Sequence, residues 1–382
     1  MIERAGRLLV DGRLVPGRVH IEGGRIAAVI LDQGAPVPGA QLPILAPGLI
    51  DLHVHGCAGF EPLGSLADMA RVLAASGTTA FQPTLFPKSP EDLGRDCQRV
   101  ASAAAQLGAG AARSLGIHLE GPFVNPLRAG ALPPAALAAP SPAGLRALLG
   151  PATAAGRGVR TMTVAPELPG ALDLIRELVQ CGVRVSLGHS SATAKEARAG
   201  LAAGASGATH LYNAMAPLHH REMGLAGVAL CAKDLHVECI GDLVHVGPEA
   251  LELALRARGA RELCLVSDSL RGAGIGCDVF HEHGRDHVRQ SGAWFYAAKG
   301  LDELRLAGSA MNQMEMVRGL VRSGTLSPEE ALTMASAAPA RALGLEHELG
   351  ALTVGARADL LVLQAGTLEL AEVLVGGVTV SR

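Results

Sequence analysis

His53 and His55 stand one residue apart at the end of an apolar run, Leu49-Ile50-Asp51-Leu52. Alternate residues of a strand share a face, so the pair presents two imidazoles side by side, an arrangement that can hold a divalent metal. A carboxylate ends a second run, Ile117-His118-Leu119-Glu120, where Gly121 and Pro122 stop the ladder at once. His189, in Ser186-Leu187-Gly188-His189, and His210, in Ala208-Thr209-His210, break two further apolar runs. Neutral imidazoles with one carboxylate are the mixture that Zn²⁺ or Fe²⁺ takes where three protein ligands leave a position open for water. Asp268 closes Cys264-Leu265-Val266-Ser267; beside a metal, such a carboxylate can take a proton from water and later deliver it to a leaving group. Each residue alone also has an ordinary reading: a core histidine bonded to a backbone carbonyl, or an aspartate capping a turn. Their common place at strand ends favours the metal. His245 can polarise a substrate oxygen, and Arg221, in His219-His220-Arg221-Glu222, can pair with an anion through a bidentate fork.

Elements that bring such residues together must end on one rim. From Ala46-Pro47-Gly48 to about residue 345, strand-like runs alternate with Ala- and Leu-rich helical stretches such as 66–75, 171–180, 192–201 and 248–256. Eight strands are expected: 49–53, 79–85, 115–120, 160–165, 183–189, 207–212, 236–241 and 263–268. That inventory predicts a (β/α)8 TIM-type barrel over 48–347, whose ligands gather at the C-terminal ends of the strands. Segments 1–47 and 348–382 alternate apolar and polar residues with turns at Asp11-Gly12 and Gly23-Gly24, and predict a small β-sandwich domain built jointly from the two ends. The fourth strand carries no lysine that could be carboxylated to bridge two ions, so Glu120 must take any bridging role.

Composition narrows the partners. Hydrophobic residues make up 49% and charged residues 18% of the 382, which supplies a large core and excludes a disordered chain. A net charge of -3 without a long basic run argues against nucleic acid and membrane surfaces. Seven scattered cysteines with no CxxC fit a reducing cytoplasm, as does the lack of a signal-like start or of a membrane-length apolar run. Small molecules are the expected partners. The His-rich stretch 281–287 reads as a solvated loop.

From about Pro47 to Ala358 the chain resembles the N-acetylglucosamine-6-phosphate deacetylases of the amidohydrolase superfamily. The resemblance is carried by His118-Leu119-Glu120-Gly121-Pro122-Phe123, Ser186-Leu187-Gly188-His189-Ser190, Thr209-His210-Leu211-Tyr212-Asn213-Ala214-Met215, His219-His220-Arg221-Glu222 and Leu306-Ala307-Gly308-Ser309. It implies that Glu120, His189 and His210 hold the catalytic metal, and that His53 and His55 serve a second ion found in some members. One or two divalent ions per subunit are thus expected, zinc first, with iron or another divalent ion as alternatives. Asp268 looks like the family's general base and acid. Ala131, Asn213, Ala214, Arg221, His245 and Leu306-Ala307-Gly308 match positions that contact the sugar phosphate, and the arginine tends to reach a neighbouring site, which implies a homodimer. Three positions depart from the usual pattern: Leu132 for histidine, Leu243 for glycine and Met223 for proline. Two alternatives remain: the same barrel acting on N-acetylgalactosamine 6-phosphate, an N-acylated amino acid or a cyclic amide, and a silent barrel that only binds.

Overall fold

The computed structural model describes residues 1–32, 42–150, 158–282, 284–297 and 304–381. Eight parallel strands follow one another around a barrel: Leu49–Val54, Thr78–Leu85, Ile117–Glu120, Val159–Val164, Arg184–Leu187, Gly207–Ala208, His236–Ile240 and Leu263–Val266. The first and last strands meet through a bridge between Val54 and Ser269. Backbone bonds from Asp268 N to His53 O (2.8 Å) and from His55 N to Ser269 O (3.0 Å) close that seam beside the expected metal ligands.

The helices lie where periodicity places them. Pro62–Ala75, Ala171–Gln180, Ala194–Ala202 and Pro248–Arg258 each follow a barrel strand. Ala171, Leu174, Ile175 and Leu178 show the i, i+3, i+4, i+7 spacing of one buried helix face. Ala194–Ala202 starts on a reciprocal cap in which Thr193 accepts from the Glu196 amide while the Glu196 carboxylate accepts from the Thr193 amide.

Three strands end two or more residues earlier than expected. The fifth, sixth and eighth stop at Leu187, Ala208 and Val266, before His189, His210 and Asp268. Those residues have φ of 48°, 30° and 46°, outside the extended region, so each leaves its strand on a left-handed turn at the rim.

The two ends of the chain share one seven-stranded sheet. Ile44–Pro47 joins them, pairing in parallel with Ile2–Val10 and antiparallel with Leu360–Leu363. Strand alternation gives this sheet two apolar faces. Leu9, Ile44, Ala46, Leu361 and Val373 pack on the barrel's core, while Leu8, Val19, Ile21, Ile26, Leu45, Leu360 and Leu374 form a second cluster with Leu352, Ala356 and Ala358. Ile26 donates to Ala356 O (2.9 Å), and Ala358 to Gly24 O (2.9 Å), which folds one end of the sheet over that cluster.

One element was not anticipated. After the eighth barrel strand the chain builds a four-stranded antiparallel sheet from Val279–Glu282, Arg285–Gln290, Ala293–Ala297 and Leu304–Ser309. Residues 281–282 and 285–287 are therefore paired strands of a β-hairpin rather than a loop. His281 is exposed and 2.8 Å from Asp286 Oδ1, whereas His287 is buried and stacks on Phe280 with ring centres 4.8 Å apart. His283 lies outside the described residues.

Candidate metal centre and substrate loops

The five expected ligands converge at the rim, all of them buried. Glu120 Oε1 lies 2.9 Å from His189 Nε2 and 3.1 Å from His210 Nε2, and the two ring nitrogens are 3.0 Å apart. On the other side, Glu120 Oε2 is 3.2 Å from His55 Nε2, which stands 3.2 Å from His53 Nε2. Glu120 therefore faces both histidine pairs. Asp268 Oδ1 approaches His53 Nε2 at 3.4 Å and His55 Nε2 at 3.5 Å.

Hydrogen bonding tests whether this set fits a cation. His189 Nδ1 is 2.7 Å from the Arg128 carbonyl, an acceptor only, so Nδ1 carries the hydrogen and the Nε2 lone pair faces inward. That lone pair meets the His210 nitrogen and a carboxylate oxygen. Such a knot of acceptors is satisfied by a positive charge at its centre, and two imidazoles with one carboxylate suit a divalent ion. Glu120, His189 and His210 form one such group, and His53, His55 and Glu120 another. His53, His118 and Glu238 are also close, but His118 has no lone pair to offer. Its Nδ1 donates to Leu52 O (3.0 Å), and its Nε2 takes the Thr163 hydroxyl (2.9 Å).

The electrostatics agree. Burial would raise the Glu120 carboxyl, yet the close approach of His189, His210 and His55 holds it well below its usual range. Burial opposes protonation of His53, but the charges of Asp268, Glu120 and Glu238 push its pKa up to about 10. Asp268 is itself held low, because His53 and His55 outweigh its burial. The pocket is thus a negative cage that favours a cation.

Around it lie the expected substrate positions, set on loops. Gly130, at φ 58°, brings the loop before Ala131 against the centre: a side-chain carbon there would stand 3.6 Å from His189 Cε1 and 3.7 Å from Ala214 Cβ. Tyr296 of the inserted sheet donates to Gly130 O (3.1 Å), which steadies this loop. Ala214 has φ 52°, and its carbonyl accepts from Ser190 N (3.0 Å). The Asn213 side chain bonds Leu211 O (3.2 Å). Leu306–Gly308 lies in the last inserted strand, and Ser309 N donates to Asp268 O (2.9 Å), which fixes that strand beside the proposed base. His245 is held by Asp242, whose Oδ2 is 2.7 Å from Nδ1 while Oδ1 accepts from the amides of Val244 and His245. Arg221 stays apart from the cluster, exposed on a short turn with Nη1 2.9 Å from His220 Nε2.

Three acids escaped sequence reading. Glu238 sits within the seventh strand and reaches His53 Nδ1 at 3.2 Å; an acid inside an otherwise apolar strand was the available signal. Asp242 orients His245. Glu167, after the fourth strand, accepts from Asn125 Nδ2 (2.9 Å), Ser190 Oγ (2.7 Å) and Ser191 N (2.6 Å), joining the loops that follow strands three and five.

The amidohydrolase family model matches residues 44–380. A human N-acetylglucosamine-6-phosphate deacetylase is 36% identical, with 95% of this chain and 90% of that protein covered. An N-acetylgalactosamine-6-phosphate deacetylase from Escherichia coli O157:H7 is 35% identical over 95% of both. Among solved structures, a mutant N-acetyl-D-glucosamine-6-phosphate deacetylase from Mycobacterium smegmatis, in complex with N-acetyl-D-glucosamine-6-phosphate, superposes with a TM-score of 0.86 at 32% identity, covering 100% of this chain and 99% of that one. With this fold, this rim and these relatives, the chain belongs to the amidohydrolase family.

Proposed function

We propose that this chain hydrolyses the acetamide of N-acetyl-D-glucosamine 6-phosphate to D-glucosamine 6-phosphate and acetate. The observation that carries the reading is Glu120 Oε1 within 3.1 Å of both His189 Nε2 and His210 Nε2, with Asp268 at the same buried rim. Glu120, His189 and His210 would hold one divalent ion, zinc first, and His53 and His55 would hold a second with Glu120. A bound ion supplies a Lewis acid that acidifies water and polarises the acetyl carbonyl. Asp268, kept ionised by its histidine neighbours, takes the proton of the attacking water and returns it to the departing amine. His245, its ring locked through Nδ1 by Asp242, is the residue we assign to the substrate oxygen. The loops of Ala131, Asn213, Ala214 and Leu306–Gly308 surround the sugar. Arg221, exposed and with its guanidinium against the neighbouring His220, would serve a second copy in a homodimer. No helix among the described residues is long and apolar enough to cross a membrane, in keeping with a cytoplasmic enzyme of amino-sugar turnover.

Acetate release from N-acetylglucosamine 6-phosphate, before and after chelation and metal re-addition, tests this reading. Release that disappears with the chelator and returns with metal is expected; none from a metal-loaded, folded sample overturns it. A second substrate, N-acetylgalactosamine 6-phosphate, is favoured by Leu132, which is buried among Val124, Ala129 and Ala165 and offers the sugar no polar group. Comparing kcat/KM on the two sugars decides between them.

A further inference from the structure

Glu238 has no role assigned above, yet among the described residues it is the one acid shown bonded to the outer face of a histidine expected to hold metal. It points inward from the seventh strand, buried, beside a small cavity of about 10 Å³ lined by Gln82, Thr161, Arg184 and Ser186. Its Oε2 lies 3.2 Å from His53 Nδ1. A carboxylate oxygen accepts, so a His53 hydrogen sits on Nδ1, and Nε2 is the nitrogen left to face an ion at the rim. There Nε2 faces His55 Nε2 at 3.2 Å and Glu120 Oε1 at 3.7 Å. Glu238 is not a ligand of a separate ion with His118, because both nitrogens of that ring are already bonded. The other histidine pair is oriented differently: a backbone carbonyl, Arg128 O, fixes His189. A side chain can be exchanged where a carbonyl cannot, which makes the two positions separable by mutation.

We propose that Glu238 is the positioning residue for the His53 and His55 ion position: it sets the His53 tautomer and ring, and so governs retention of that ion while leaving the ion at Glu120, His189 and His210 unaffected. This rests on the metal reading of the rim and not on the identity of the sugar.

Zn²⁺ titration of the apo-protein, with ions per chain counted after equilibrium dialysis, tests it. The wild type should take up two ions. Glu238→Ala should keep the first at unchanged affinity and weaken the second by roughly 10- to 100-fold. Glu238→Gln, whose amide oxygen can still accept from Nδ1, should lose less than about tenfold, a rescue that a loss of packing would not show. The proposal falls if Glu238→Ala binds both ions like the wild type, if Ala and Gln lose both ions alike, or if the wild type takes up only one. Acetate release is followed in parallel. Its absence from a wild type that holds two ions strikes the substrate reading and leaves the role of Glu238 standing.

Discussion

His53, Glu120, His189 and His210 come from four barrel strands or the residues directly after them, whereas Ala131, Asn213, Arg221, His245 and Leu306–Gly308 stand on loops and on a sheet inserted after the barrel. The strand-borne half is buried, and its rings are tied to the scaffold: His189 to Arg128 O, His53 to Glu238, His118 to Leu52 O and Thr163. The loop-borne half is tied mainly to itself, as His245 is to Asp242 and Arg221 to His220. All three departures from the family pattern, Leu132, Met223 and Leu243, fall in this second half. On the proposed assignment, chemistry is held on rigid elements, where a small displacement costs most, and recognition on segments that can vary.

The sharpest break should come on the strand side. Asp268→Asn keeps the shape of the side chain but removes the proposed base, so kcat should fall roughly 10²- to 10⁴-fold while bound metal, measured by elemental analysis, stays at the wild-type level. Turnover near normal would remove Asp268 from the mechanism.

A smaller effect tests how firmly the strand side is fixed. Burial, aided by the charge of His53, pushes the His118 pKa down to about 4 from an ordinary 6.5. Between those values the unfolded chain binds a proton that the folded chain refuses, so the contribution is fully present above pH 6.5 and is lost as pH falls towards 4. The loss is on the order of 3 kcal/mol. Urea midpoints of the metal-free protein from pH 7 to 4 should show it, and His118→Gln should flatten the slope. An equal slope in both proteins would show that other groups set it.

The smallest effect lies on the loop side. Leu243 has φ 60°, a conformation that favours glycine, so Leu243→Gly should raise stability by about 1 kcal/mol in thermal or urea melts, relieving strain where the chain departs from its relatives. A loss of stability would mean that packing of the leucine outweighs the strain.

The eight strands were legible because each is an apolar run bounded by Gly, Pro or polar turns, and the expected ligands stand at or just beyond the strand ends. What escaped notice did so for physical reasons. In the hairpin of the inserted sheet the buried positions are Phe280, Glu282 and His287, two of them polar, so its inward face reads as solvent. Glu282 is there because Arg271 Nε meets it at 3.1 Å, a partner no local pattern displays. Glu238 likewise looked like an ordinary strand charge until the barrel placed His53 against it. The fifth, sixth and eighth strands were read too long because a left-handed φ at His189, His210 or Asp268 leaves no mark in the residue type.

Those three left-handed residues have a consequence for anyone who selects variants of this protein. Each holds a side chain in a backbone conformation that costs about 1 kcal/mol or more and that glycine would adopt freely. A screen that rewards thermal tolerance in the absence of metal, and never asks for turnover, would therefore be drawn to glycine at these positions. It would enrich sturdier barrels with the histidines and aspartate of the rim deleted, so a useful selection must score catalysis in every round.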